Sequence, residues 1–139
     1  MTRVLSLTLI AAAPLAALAL MAASQPSVLA QVSPGLWEID GLPGAKAPAR
    51  ECVADVTALA QYEHKSKSCR RAVVGSGPNF VVIQYSCPGS DFGRSKMTVI
   101  TPRSLRIEAQ GISDNLPFGY VLQARRVGDC VNQQTADRH

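Results

Sequence analysis

The stretch CRRAVVGSGPNFVVIQYSC (residues 69–87) predicts a β-hairpin with a cysteine at each end. Segments 69–75 and 79–87 are rich in the β-branched and aromatic residues that strands favour, and the Gly-Pro pair between them is typical of a turn. If residues 77–79 form the loop, Cys69 faces Cys87, and facing residues have Cβ atoms about 4.5–5.5 Å apart. Because a disulfide needs only slightly less, about 3.5–4.5 Å, we predict a Cys69–Cys87 bridge.

The remaining cysteines, Cys52 and Cys130, would then form a second bridge. An even number of cysteines in a small exported domain indicates a disulfide framework. The Cys52–Cys130 pair closes a long loop and ties the end of the predicted sheet to the first third of the chain. Zinc is the alternative, but zinc sites usually contain a close pair such as C-x-x-C, which these spacings lack. We therefore predict two disulfides and no metal site.

The N-terminal segment 1–30 has the pattern of a signal peptide. Arg3 precedes an apolar run, and the small residues Val28 and Ala30 suit cleavage after Ala30. An uncleaved membrane anchor is the alternative, because the run approaches the length of a transmembrane helix. The signal peptide is favoured by Pro14 and by the alanine content. It predicts a periplasmic or other cell-envelope location, with no stable membrane span after cleavage.

The rest of the chain reads as one β-rich domain, residues 31–130, followed by a flexible polar tail, 131–139. Short alternating segments predict an antiparallel meander that curves into a partial barrel or a sandwich-like sheet. One short helix is predicted from Asp55, a suitable N-cap, to Glu63. The further predicted strands are 36–40, 50–52, 94–101, 104–111 and 118–128, with turns at 88–93 and 112–117. The predicted core residues are Trp37, Ile107, Phe118, Tyr120 and Leu122.

The sequence RRVGDC (125–130) closes the last predicted strand. Alternation places Arg126 on the inner side and Arg125 on the outer side. The pair has two interpretations. In the first, the arginines are structural and form ion pairs at the rim of the sheet, with Asp129 or Glu38 as partners. In the second, Arg125 and Arg126 form an anion-binding rim at the mouth of a pocket.

Three features together resemble the domain-of-unknown-function family 3617, small exported proteins of Gram-negative bacteria. They are PGLWE (34–38), single cysteines at positions 52, 69 and 87, and the closing RRVGDC. The resemblance implies a curved antiparallel sheet in the cell envelope, but no activity, because the family has none assigned. This chain departs from the family where QA (123–124) precedes the arginines, a place where Ser-Gly is common.

The residues give no indication of an enzyme or of a bound cofactor. The tripeptide DFG (91–93) lacks the other kinase motifs, and His64 lies at the end of the predicted helix among charged residues. The net charge of +4 is small compared with that of most nucleic-acid-binding domains, so no nucleic-acid partner is expected.

Two functional hypotheses remain. The first is a non-catalytic envelope domain that binds an apolar or amphipathic small molecule inside its curved sheet. The second is an interaction module that binds an unknown envelope component through a sheet edge or the basic rim. An open apolar pocket inside the curve would favour the first hypothesis, and an interior filled with side chains would favour the second.

Overall fold

The computed structural model describes residues 28–131, so the predicted signal peptide up to residue 27 and the tail from residue 132 lie outside the described residues. The described part forms two 3-10 helices, Leu29–Gln31 and Val56–His64. It also forms seven strands: β1 (Gly35–Asp40), β2 (Ala49–Val53), β3 (Arg70–Ser76), β4 (Phe80–Ser86), β5 (Phe92–Thr101), β6 (Ser104–Ser113) and β7 (Leu116–Gly128).

All seven strands belong to one antiparallel sheet, in the order β2-β1-β7-β6-β5-β4-β3. Strands β3 to β7 form a continuous meander, and β1 pairs with β7, so the first and last strands are neighbours. The sheet is not closed, and β2 and β3 are its edges. The predicted mainly β fold, with its meander sheet, short helix and two disulfides, is confirmed.

The hairpin of β3 and β4 has the predicted pairing at its cysteine end and a different pairing at its turn. Val73 faces Ile83 as expected, but Ser76 faces Val81 rather than Phe80. The loop is therefore one residue longer than predicted. A β-bulge between Val73 and Gly75 compensates by adding one residue to β3. Because the two deviations cancel, the Cys69–Cys87 disulfide forms where it was predicted.

Two predicted turns are shorter in the structure. Phe92 and Gly93 already belong to β5, and the turn at 112–117 reduces to Asp114 and Asn115. Both of these residues have positive φ, 50° and 63°. This is the conformation of a two-residue type I′ turn, which Asn and Asp tolerate better than most residues. The two long strands therefore run up to the turn on both sides.

The inner face of the sheet forms the core, and the five predicted core residues differ in how deeply they are buried. Trp37, Ile107 and Leu122 are buried completely. Phe118 and Tyr120 are only half-buried, and Tyr120 packs against the core. They continue the inner row of β7 beyond Leu122, toward the open end of the curve. Alternation indicates which face a residue lies on, but not whether another element covers it there.

The helix Val56–His64 lies against the inner face and contacts β5, β6 and β2. The predicted N-cap is present, because the Asp55 carboxylate accepts a hydrogen bond from the Thr57 backbone N–H at 2.9 Å. The helix is of the tighter 3-10 type, and it is interrupted at Gln61, whose backbone angles are not helical. The Gln61 side-chain amide donates to the carbonyls of His64 and Lys67, and so fixes the kink.

The core includes two residues that the prediction assigned to the signal peptide. Val28 and Leu29 are buried in the same cluster as Trp37, and the side chain of Leu29 is fully enclosed. In this structure the packed core therefore extends to the N-terminal side of Gln31, the residue at which the domain was predicted to begin.

The Cys52–Cys130 disulfide joins residues that are 78 positions apart. Replacing Cys130 with Ser should lower the free energy of unfolding by about 2–5 kcal/mol, because the unfolded chain loses a long covalent loop. Urea unfolding of the oxidised variant measures this change, and thiol labelling should detect one reactive cysteine, Cys52. An unchanged unfolding midpoint would show that the bridge does not stabilise the domain.

Candidate functional site

The interior of the curved sheet is filled with side chains. From the sheet, Trp37, Ile107 and Leu122 fill it, and from the helix Val56 and Leu59 do so. Surface clefts lie on the outer face of the sheet, at its arginine rim and at the open end of the curve, which Glu63, Phe118 and Tyr120 line. Any ligand that these clefts hold would therefore be bound from outside.

The arginine rim brings Arg125 and Arg126 beside acidic partners. Arg125 donates to the Glu38 carboxylate at 3.2 Å, and its side chain is 69% exposed. Arg126 is only 17% exposed and pairs with Asp129. Its Nε also donates to the Pro34 carbonyl at 2.8 Å. A shallow cleft of about 460 Å³ adjoins both residues. The ion pairs with Glu38 and Asp129 are the contacts that the structural interpretation predicts. Anion binding by the two arginines stays a prediction.

Gly35 explains part of the PGLWE pattern. A Cβ atom at this position would lie 2.6 Å from Nε of Arg126, and the backbone φ of +149° is rarely adopted by residues with a side chain. Only glycine therefore leaves room for the Arg126 side chain against the start of β1. The opening and closing patterns of the predicted domain meet at this contact.

A buried polar cluster centred on Asp91 was not predicted. The His64 side chain is 1% exposed, with Nδ1 3.1 Å from the Tyr85 hydroxyl and Nε2 3.6 Å from the Asp91 carboxylate. Asp91 also pairs with Lys67 and accepts a hydrogen bond from the Asp114 backbone N–H at 2.9 Å. The cluster joins the helix, β4, the start of β5 and the turn between β6 and β7.

The surroundings of Asp91 and Tyr85 shift the pKa values of both side chains. The hydrogen bond from Lys67 and then the Asp114 N–H hold the pKa of the Asp91 carboxyl below its ordinary value. Burial, with the nearby negative charges of Glu63 and Asp91, raises the pKa of Tyr85 to about 12. Tyr85 therefore keeps its proton at neutral pH. Because His64 is enclosed, a substrate cannot reach its ring from solvent, and the cluster is structural.

The open end of the curve forms the most voluminous of these clefts, about 830 Å³. Glu63 and the half-buried Phe118 and Tyr120 line one side, and the loop between β1 and β2 lines the other. Burial and then the charge of Glu63 raise the pKa of Tyr120 above its ordinary value, so its hydroxyl remains protonated. The cleft therefore offers aromatic surface and one carboxylate.

The outer face carries two adjoining clefts, of about 580 and 460 Å³, which share Arg94 and Gln110. Arg94 lies near the start of β5, and its guanidinium forms no ion pair or hydrogen bond with any residue in the range 28–131. Sequence analysis did not single out Arg94. The available signal was its position in an alternating strand, which places it on the outer face.

The described residues contain no group of three or more potential metal-ligating side chains. Among the same residues, no helix is long and apolar enough to span a membrane. Comparison of the chain with protein-family models, curated proteins and solved structures finds no match.

The two rim arginines should differ in their contribution to stability. Arg126→Ala should lower the free energy of unfolding by about 1–3 kcal/mol, because it removes charged hydrogen bonds from a mostly buried position. Arg125→Ala serves as the matched control and should change it by about 0.5 kcal/mol or less, since its side chain is exposed. Urea unfolding of both variants measures the difference. Equal effects would contradict the assignment of Arg126 to the inner side.

Asp91 should contribute to stability in a pH-dependent way. Since its pKa is lower in the folded state, its contribution is complete at neutral pH and is lost as the pH falls from about 4 through the folded-state pKa. Asp91→Asn should therefore destabilise the protein at pH 7 and flatten the decline in stability below pH 4. Asp114→Asn is the control, because the link to Asp91 uses the backbone N–H of that residue. Parallel acid profiles for wild type and Asp91→Asn would contradict this role.

Proposed function

We propose that this protein is a non-catalytic interaction module of the cell envelope, which binds an extended segment of another envelope protein along the free edge of β3. The observation that carries the proposal is the exposure of that edge. Every residue of β3 is exposed except Gly75, which is half-buried, and the apolar Val73 and Val74 are each about half exposed. An exposed edge strand offers backbone donors and acceptors to an added strand.

The filled interior favours the hypothesis of an interaction module over the hypothesis that a small molecule binds inside the curved sheet. The core side chains and the 3-10 helix occupy the space where such a ligand would bind. The other sheet edge, β2, is less exposed, since Ala49 and Glu51 are half-buried and Val53 is buried. Of the two edges, β3 is therefore the more accessible to a partner.

The charges on β3 favour a partner segment with acidic residues. Arg70 is exposed and forms no ion pair within the described part of the chain, whereas Arg71 is bound to Asp55. The bulge at Val74 and the two arginines also disfavour pairing between copies of β3 placed directly side by side. A carboxylate opposite Arg70 would add charge complementarity to the backbone hydrogen bonds.

The cellular location belongs to the same proposal. Two disulfides are typical of proteins folded in an oxidising compartment, which supports export, and residues 1–30 have the pattern of a signal peptide. We place the protein in the periplasm, as a member of the family that its opening and closing motifs resemble. An enzymatic activity is not part of this proposal.

Site-specific photo-crosslinking in the producing cells tests the edge. A photoreactive residue at Val74 should give a discrete crosslinked protein. The same residue at Ile100, which is also apolar and at least as exposed but lies in β5, separated from β3 by β4, should not. Val73→Lys should abolish the crosslink from position 74 and leave the melting temperature unchanged, because Val73 contributes little to the core. Crosslinks from Ile100 alone, or persistence in the Val73→Lys variant, would refute the proposal.

A further inference from the structure

We infer a second binding site that is independent of the β3 edge: a groove on the outer face that binds a small amphipathic anion. Arg94 would hold the negatively charged group of this ligand. Phe92 and Ile112 would contact its apolar part. The inference rests on the arrangement of side chains across strands β4 to β7, on the absence of a partner for Arg94 and on the dimensions of the groove.

The register of the strands places polar side chains in one row across the outer face. Gln84 of β4 faces Arg94 of β5, which faces Gln110 of β6, which faces Gly119 of β7. Facing side chains in such a ladder have Cβ atoms about 4.5–5.5 Å apart. Residues with amide side chains therefore flank Arg94 on both neighbouring strands, and each can supply N–H donors beside the guanidinium. Gly119 has no side chain, so the row is open toward β7.

The neighbouring row supplies the apolar surface. Phe92 faces Ile112, one outward-facing position along the same strands from Arg94 and Gln110. Phe92 is about half exposed, which is unusual for a phenylalanine in a strand, and Ile112 is half-buried. The cleft of about 460 Å³ is lined by residues of both rows. Its size fits a single short acyl chain or an aromatic ring with one charged group.

Arg94 differs from the other cations on this part of the face. Arg106 pairs with Glu108 at 2.8 Å, and Lys96 lies 4.6 Å from the centre of the Phe80 ring. The partners of these two cations are thus supplied by the protein, whereas Arg94 forms no such contact with the residues from 28 to 131. A guanidinium can bind a carboxylate through two parallel hydrogen bonds, and the flanking amides can add further donors.

The groove favours a discrete ligand over a membrane surface. The apolar residues occupy a cleft beside a polar row, and the next row contains Val82, Lys96 and Glu108, whose carboxylate pairs with Arg106. A negatively charged bilayer would have to accommodate this carboxylate and two neutral amides in the middle of its contact area. Charge complementarity at Arg94 requires only one anionic group, which a monomeric amphiphile provides.

Titration of the oxidised protein with sodium octanoate below its micellar concentration tests the site, with amide chemical shifts as the readout. We expect saturable binding of one octanoate, with the main shifts at residues 84, 92–94 and 110–112. Replacing Arg94 with Gln should weaken binding by about tenfold or more, because the charged bidentate contact is lost. The melting temperature of this variant should not change, since Arg94 is exposed.

Three controls decide the outcome. Arg103→Gln removes the same charge from an exposed turn outside the groove and should change the affinity by less than about twofold, since exposed charges are strongly screened. The neutral 1-octanol should bind much more weakly than octanoate. An equal loss in Arg103→Gln, or equal binding of 1-octanol, would overturn the inference. Binding to vesicles of neutral and anionic phospholipid without binding of monomeric octanoate would also overturn it, in favour of a membrane-contacting face.

Discussion

The fold depends on the coverage of the inner sheet face by a nine-residue 3-10 helix. A single open sheet has an apolar face that must be buried, and here one short element covers much of it. Such helices have little intrinsic stability, so this one must be held by the rest of the chain. The two disulfides hold both of its flanks: Cys52 precedes it and is tied to the end of β7, and Cys69 follows it and is tied to the end of β4.

This arrangement directs recognition to the outside of the molecule. Because the helix occupies the concave side, the accessible surfaces include the free edge of β3, the outer face, the arginine rim and the open end beside Tyr120. The buried cluster at Asp91 belongs to the structural part, since it links the helix to β4, to the start of β5 and to the turn at Asp114. A titratable side chain in this protein therefore indicates a site only if solvent can reach it.

The sequence predicted the features that depend on local pattern. It missed those that depend on how far the helix covers the inner sheet face, or on contacts between residues distant in the chain. Alternation and cysteine spacing were sufficient for the strands, for both disulfides and for the facing of Trp37. The half-burial of Phe118 and Tyr120 was not predictable, because it depends on where the helix ends. The contact of His64 with Tyr85 joins residues 21 positions apart and leaves no periodic signal. For the groove, alternation indicated that Arg94 lies outside, but its lack of a partner required the structure.

The two proposed surfaces differ in rigidity, and this difference suits their ligands. Strands β4 to β7 pair without interruption through the rows that contain Arg94 and Phe92, and the one irregularity between β5 and β6 lies at the far end, near Thr101. The strand positions that carry the donors of the groove are therefore fixed relative to each other, which lowers the ordering cost of binding a small anion. The β3 edge, in contrast, contains a bulge and has one neighbouring strand. An extended polypeptide adjusts its own backbone on binding, so it can follow an edge that a small rigid ligand could not use.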